Sequence, residues 1–231
     1  MPRYSRIVLA NTPHHITQRG NNRRDVFFTD SDREMYLLLL KRYTSQYKVD
    51  ILGYCLLTNH VHLIAIPAVA AGLAKALGRT HNDYARWLNI RRSESGHLWQ
   101  NRFFSCPLDA RHTWAALAYV ERNAVKAGLA ARAADWAWSS ARRHLGLQQT
   151  PDWLHTELWS QTWGPSRWRT VLDEGMAEAE LQDRLREATK TGRPLGDASF
   201  TEACEARFGI RVRRQKPGPK AKALAACAPS T

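Results

Sequence analysis

The chain has 231 residues, 44% of them hydrophobic, so it can build a core and is not a wholly disordered polypeptide. It carries 34 Lys and Arg against 21 Asp and Glu, a formal charge of +13, which favours a polyanionic partner: nucleic acid first, an acidic membrane surface second, with a merely solvated basic surface as the plain alternative. Cys55, Cys106, Cys204 and Cys227 form no C-x-x-C pair, Met1 to Ala10 do not read as a signal peptide, and no apolar run is long enough to span a membrane; a reducing cytoplasm fits, without a disulfide framework or cysteine zinc site.

In chain order, His14 to Gln18 predicts a short strand. Arg19-Gly20-Asn21-Asn22-Arg23-Arg24 is a basic turn, and Val26-Phe27-Phe28 a returning strand. Asp30 and Ser31 offer caps, and Ser31 with Glu34 has capping-box spacing, so a helix is expected from Asp32 to Tyr47. Val49 to Leu57 and Val61 to Ile66 read as strands separated by Thr58-Asn59-His60. Ala71 to Asn89 reads as a long helix, Phe103 to Leu108 as a strand, and Arg111 to Ala127 as a helix ended by Gly128. The order β-β-α-β-β-α-β-α predicts an α+β fold, an antiparallel sheet with helices on one face.

Around Pro151 the aliphatics thin out and Trp153, Trp159, Trp163 and Trp168 crowd together. A helix is expected from Asp173 to Thr189. Beyond Phe208, the run Arg211 to Lys222, with Pro217, Gly218 and Pro219 among its cations, argues against packing. The expected organisation is a catalytic domain over 1–150, a helical extension over 151–210 and a basic, disordered tail over 211–231.

Two groups of residues suit chemistry. In His60-Val61-His62, strand alternation puts both imidazoles on one face, where they can grip one divalent ion; two hydrogen-bonded histidines at a strand end would look the same. Tyr119 and Asn123 lie four apart on a helix, separated by roughly 40° and about 6 Å. Both fall opposite the stripe of Leu117, Val120 and Ala124, in the sector of His112. Together they offer a nucleophile and an oxygen ligand, or simply a partly exposed Tyr beside a polar neighbour.

Longer phrases carry more information. Leu56-Leu57-Thr58-Asn59-His60-Val61-His62-Leu63 resembles the histidine–hydrophobic–histidine motif of the HUH superfamily of single-strand nucleases. The stretch Tyr119 to Leu129 resembles the tyrosine helix of REP-associated tyrosine transposases, relatives of the insertion-sequence tyrosine transposases. Gln18 to Arg24, Gly96 to Phe103 and Trp136-Ala137-Trp138-Ser139-Ser140 resemble further phrases of that group, in the same order, over roughly residues 1 to 150. Ala124 stands where the family usually has Pro, and insertion-sequence relatives have Gln where Asn123 stands.

The resemblance implies a ferredoxin-like (RRM-like) sheet and a site in which His60, His62 and Asn123 bind Mg²⁺ or Mn²⁺. It implies that Tyr119 attacks a DNA phosphate, leaving a 5′-phosphotyrosine and a free 3′-OH. Such a link conserves the phosphodiester's energy, and no phosphate-cradling P-loop motif is present, so no nucleotide cofactor is expected. The implied partner is single-stranded DNA near a repetitive extragenic palindrome hairpin, in the cytoplasm of a bacterium and on its nucleoid; monomer and homodimer both remain open.

Arg19, Asn21, Asn22, Arg23 and Arg24 can grip phosphates or base edges, or form a merely polar turn. Trp99 and its neighbours Phe103 and Phe104 can stack on unpaired bases, or serve as core; Arg102 adds charge beside them. In the tail, Arg213, Arg214, Lys216 and Lys220 would add salt-sensitive affinity. A domesticated binder of hairpin DNA or structured RNA that no longer cuts is the principal rival. A two-histidine RNA phosphoesterase fits poorly, since only His15-Ile16-Thr17 has the H-x-[ST] form, and no H-E-x-x-H zinc motif is present.

Overall fold

Short alternating strands and two long helices build the frame. The structure, a computed structural model, describes residues 6–174 and 179–209. Strand β1 (His14–Arg19) is central, with β3 (His60–Pro67) on one side and β4 (Phe104–Pro107) on the other; β2 (Val49–Leu56) lies outside β3. All neighbours are antiparallel, in the order β2-β3-β1-β4. With helix α1 (Asp30–Gln46) after β1 and α2 (Ala70–Arg92) after β3, the unit is βαββαβ, the ferredoxin-like arrangement.

The predicted strand at Val26-Phe27-Phe28 does not form, and its loss is what gives this order. The backbone N–H groups of Val26 and Phe27 both donate to the Thr58 carbonyl, at 2.9 and 3.0 Å, so no ladder can propagate. The Phe27 ring instead packs against Tyr36 and Tyr84, with centroids 5.5 and 5.4 Å away, between α1 and α2. The cap of α1 also differs from expectation. Thr29 is the N-cap, and the Asp32 carboxylate accepts from the N–H groups of Phe28 and Thr29 at 2.7 and 2.8 Å. A buried carboxylate at the third helical position satisfies orphan donors that Glu34, two residues on and exposed, cannot reach.

Helices cover both faces of the sheet, not one. Ile16, Val61, Leu63 and Ala65 face α1 and α2. The other face, with Ile64 and Cys106, receives α3 (Ala110–Glu121), α4 (Asn123–Lys126), α5 (Ala141–His144), α6 (Glu157–Thr162), α7 (Pro165–Glu174) and α8 (Ala179–Thr191). Helix α9 (Ala198–Phe208) buries Cys204 against Ile7 and Leu9. Of the helix expected over Asp173 to Thr189, Asp173 and Glu174 lie in α7 and the stretch from Ala179 in α8, and residues 175–178 lie outside the described residues. The tryptophan segment supplies core: Trp159 and Trp168 lie in the same apolar cluster as Leu117 and Val120 of α3. Residues 211–231, and with them Arg213, Arg214, Lys216 and Lys220, lie outside the described residues. Among the described residues no helix is long and apolar enough to cross a membrane.

Two buried histidines outside the histidine cluster are expected to make the fold sensitive to acid. Burial pushes His14 down to about 4 and His81 down to about 3, from an ordinary 6.5. Above pH 6.5 both states are neutral. As pH falls from there the unfolded chain takes up protons that the folded chain refuses, so stability is lost until the folded groups titrate. Urea unfolding at pH 7, 6 and 5 is expected to show stability falling with pH, with a slope smaller by about one proton in His81→Gln. A flat profile between pH 7 and 5 would refute this.

Candidate active site

Strand register assembles a histidine cluster on the face opposite α1 and α2. Thr17 pairs with His62 and Arg19 with His60, so His15, Thr17 and Arg19 share a face with His60 and His62. The His60 and His62 ring centroids lie 5.0 Å apart. His15 joins them: its Nε2 is 3.0 Å from His62 Nδ1, and the two ring planes are nearly parallel, at 10°. His15 Nδ1 is 2.7 Å from Thr189 Oγ1 of α8.

Helix α3 carries Tyr119 onto this cluster. The phenol ring stands edge-on to His62 and His15, with centroids 5.6 and 5.8 Å away. The close approach of α3 to β2 depends on Gly53, where an added Cβ would sit 2.3 Å from Leu117 Cδ1. Below the tyrosine, Glu121 is fully buried and ties α3 to three other groups. It accepts from Ser140 Oγ in a short bond, from Trp168 Nε1 at 2.8 Å, and pairs with His144 Nδ1 at 2.6 Å.

The continuous helix expected from Arg111 to Ala127 is interrupted at Arg122. Asn123 begins α4, and its side-chain Nδ2 donates to the Tyr119 carbonyl at 2.9 Å. An asparagine bonding back to the fourth preceding carbonyl competes with the helical ladder. The interruption is thus present although Ala124 rather than Pro follows. Asn123 is buried, and its Oδ1 has no hydrogen bond to protein among the described residues. His112, in the same helical sector, instead turns to the N-cap of α3: Asp109 Oδ1 accepts from its backbone N–H and lies 2.7 Å from its Nδ1.

The histidines are suited to ligation. Burial holds His15 at about 3; burial, then Arg19, holds His60 at about 4; burial, then the neighbouring His15 and His60, pushes His62 well below 6.5. All three are uncharged imidazoles at neutral pH. Cations gather instead at the tyrosine. Arg186 of α8 sets Nε 3.4 Å from Tyr119 Oη, while its Nη1 is held 2.8 Å from Asp183; Lys126 Nζ lies 5.8 Å from the phenol centroid. Tyr119, Arg122, Lys126 and Gln182 line a pocket of about 220 Å³. Among the described residues no group of three or more His, Cys, Asp or Glu side chains is disposed to hold a metal ion, so an ion here would need an amide, solvent or substrate oxygen as well.

The other candidates divide into two places. Arg19 at the end of β1 and Asn22, Arg23 and Arg24 at the tip beyond it are exposed, and Asn22 and Arg23 have φ of 51° and 61°. This tip is wired to the histidines: Asn59 Nδ2 donates to the Arg23 carbonyl at 2.9 Å, and Asn59 Oδ1 lies 2.6 Å from His60 Nδ1. Asn21, Trp99 and Arg102 line a separate cleft of about 710 Å³ with Arg6, Gln18 and His97. Trp99 is half-buried, its Nε1 donating to the His81 carbonyl at 2.9 Å, so it is a wall of the cleft. Phe103 is core, whereas Phe104 is exposed.

Sequence reasoning did not place His15, Arg186 or Thr189 in the site. Alternation along β1 puts His15 on the same face as Thr17, which is a usable signal. Nothing local marks Arg186 or Thr189.

The ferredoxin-like sheet thus presents a histidine pair beneath a helix-borne tyrosine. The family model described as "Transposase IS200 like" matches residues 9–123, and the chain belongs to this family of transposases. Among solved structures it is similar to a REP-associated tyrosine transposase bound to a REP hairpin. The identity is 18% and the TM-score 0.56, covering 68% of this chain and 93% of that one. A putative transposase from Deinococcus radiodurans is 16% identical with a TM-score of 0.37, covering 52% of this chain and 97% of that one. No curated protein sequence matches. The stretch matched by the family model contains His15, His60, His62, Tyr119 and Asn123; Arg186 and Thr189 lie beyond it.

Proposed function

We propose that this transposase is a metal-dependent endonuclease and strand transferase for single-stranded DNA beside a hairpin, working through a 5′-phosphotyrosine. The observation that carries the reading is Tyr119 standing edge-on to His62 within a cluster of uncharged histidines. Tyr119 Oη attacks phosphorus and the bond to the 3′ oxygen breaks, leaving a free 3′-OH on one strand and the 5′ end on the protein. Reversal with another 3′-OH rejoins DNA without an external energy source.

The residues present fit a divalent ion. His60 Nδ1 and His62 Nδ1 are both committed to neighbours, while neither Nε2 has a hydrogen bond to protein among the described residues. His60, His62 and the Asn123 Oδ1 would hold Mg²⁺ or Mn²⁺, which when bound supplies charge stabilisation at a phosphate oxygen. Arg186 holds the Tyr119 hydroxyl, and Lys126 with Arg122 favours a phosphate beside it. Arg19 and Arg24 grip backbone phosphates leading from the site, and the cleft of Asn21, Trp99 and Arg102 takes unpaired bases. The hairpin substrate is carried over from the solved relative, which is bound to one.

The test is cleavage of a hairpin oligonucleotide with a single-stranded flank. Cutting is expected with Mg²⁺ or Mn²⁺, is lost in chelator, and falls at least about a hundredfold in His62→Ala. Equal cutting in chelator would overturn the metal reading. Tight hairpin binding without cleavage under any metal would make the chain a domesticated binder.

A further inference from the structure

We propose that Thr189 of α8, acting through His15, is a positioning residue that fixes the tautomer of His62, so that an element beyond the family-matched stretch completes the site. The inference rests on the metal reading above. It follows from counting protons along one chain of bonds.

Thr189 Oγ1 lies 2.7 Å from the Leu185 carbonyl, one turn back in α8. A carbonyl oxygen has no proton, so the single hydroxyl proton of Thr189 goes there. Toward His15 Nδ1, at 2.7 Å, Oγ1 is left to accept, and His15 therefore carries its proton on Nδ1. The Cys106 thiol, 3.3 Å from the same oxygen, fits as a second donor to it.

His15 is 1% exposed, and its two ring nitrogens face a hydroxyl oxygen and another imidazole rather than a carboxylate, so it is a neutral ring that owns one N–H, already spent on Thr189. Its Nε2 is a bare lone pair. The group 3.0 Å away is His62 Nδ1, which must donate. His62 then has no proton on Nε2, which is left bare for a ligand. The opposite tautomer of His62 would set two lone pairs against each other at 3.0 Å and aim an N–H into the site. His60 reaches the same state by a shorter route. The Asn59 amide nitrogen donates to Arg23, so Oδ1 accepts from His60 Nδ1. The two histidines thus have separate supports, one from the basic tip and one from the C-terminal extension.

The decisive measurement is long-range ¹H–¹⁵N spectroscopy of the histidine rings in the metal-free full-length protein. The parent is expected to show His15 and His62 protonated on Nδ1 and bare on Nε2. Thr189→Val, which keeps shape but removes the acceptor, is expected to shift both rings toward the Nε2–H form and to weaken Mn²⁺ binding, followed by electron paramagnetic resonance, by about 10–100-fold. Thr189→Ser is expected to restore the parent pattern. An Nε2–H form of His62 in the parent overturns the proposal without recourse to any variant. So does a Thr189→Val protein with unchanged spectra and unchanged Mn²⁺ affinity. If the tautomers behave as expected but Mn²⁺ binds neither protein, the relay stands and the metal reading fails.

Discussion

Replacing Tyr119 with Phe is expected to abolish the covalent protein–DNA species while leaving hairpin binding intact. The ring is what packs on His15 and His62, and Phe keeps it. Among the described residues the hydroxyl makes one hydrogen bond, the long one to Arg186 Nε at 3.4 Å, so its loss leaves little unsatisfied. A hairpin oligonucleotide labelled at its 3′ end should become attached to the parent protein and resist denaturing electrophoresis. In Tyr119→Phe that band should vanish and cleavage should fall on the order of a thousandfold or more, since no other group on α3 offers a nucleophile there. Cleavage within tenfold of the parent would show that water or another residue attacks. Lys126 and Arg186, each within 5.8 Å of the ring, remain in place in this variant, so a loss of binding would be unexpected.

The largest effect on stability is expected at Glu121. Its carboxylate is fully buried and serves Ser140, His144 and Trp168, the last two from helices that pack against α3. Glu121→Ala strands three polar groups in an apolar cluster. Removing one partner from such a buried network costs about 3–5 kcal/mol, which for a protein of this size lowers the melting midpoint by roughly 10 °C. Glu121→Gln keeps an acceptor and the volume, and should fall between. The readout is urea or thermal unfolding at neutral pH. A Glu121→Ala protein within about 0.5 kcal/mol of the parent would mean the network contributes nothing. Because Glu121 sits two residues after Tyr119, a looser α3 should also reduce cleavage more than binding.

Much of the frame was legible from local pattern. Strands β2 and β3 and helix α2 carry their own periodicity, and the one-face placement of His60 and His62 follows from the pleat alone. The errors have local causes too. Val26-Phe27-Phe28 is a short apolar run that periodicity cannot assign, and Thr58 settles it by taking both N–H groups. Ser31 and Glu34 have the right spacing for a cap, but Thr29 and Asp32 lie two residues earlier and Asp32 is the one buried. The interruption at Arg122 comes from a side-chain bond of Asn123 that no propensity encodes. The site was legible in halves. What joins them is register: His15 meets His62 only because β1 and β3 pair with Thr17 opposite His62. Arg186 and Thr189 enter by packing of α8, and amphipathic spacing gives their helix without giving its destination.

The contact between Thr189 and His15 spans 174 positions of the chain. Contacts so distant in sequence form against a large loop-closure entropy, and form late. The sheet, Tyr119 and all three candidate ligands precede α8, so a chain still emerging from the ribosome can hold Tyr119 before the last support of its histidine cluster exists. Refolding followed by intrinsic fluorescence should then report the frame before hairpin cleavage appears. On the proposed function, the order of synthesis would itself be a safeguard: an unfinished copy would have the means to grip DNA before it had the finished means to cut it.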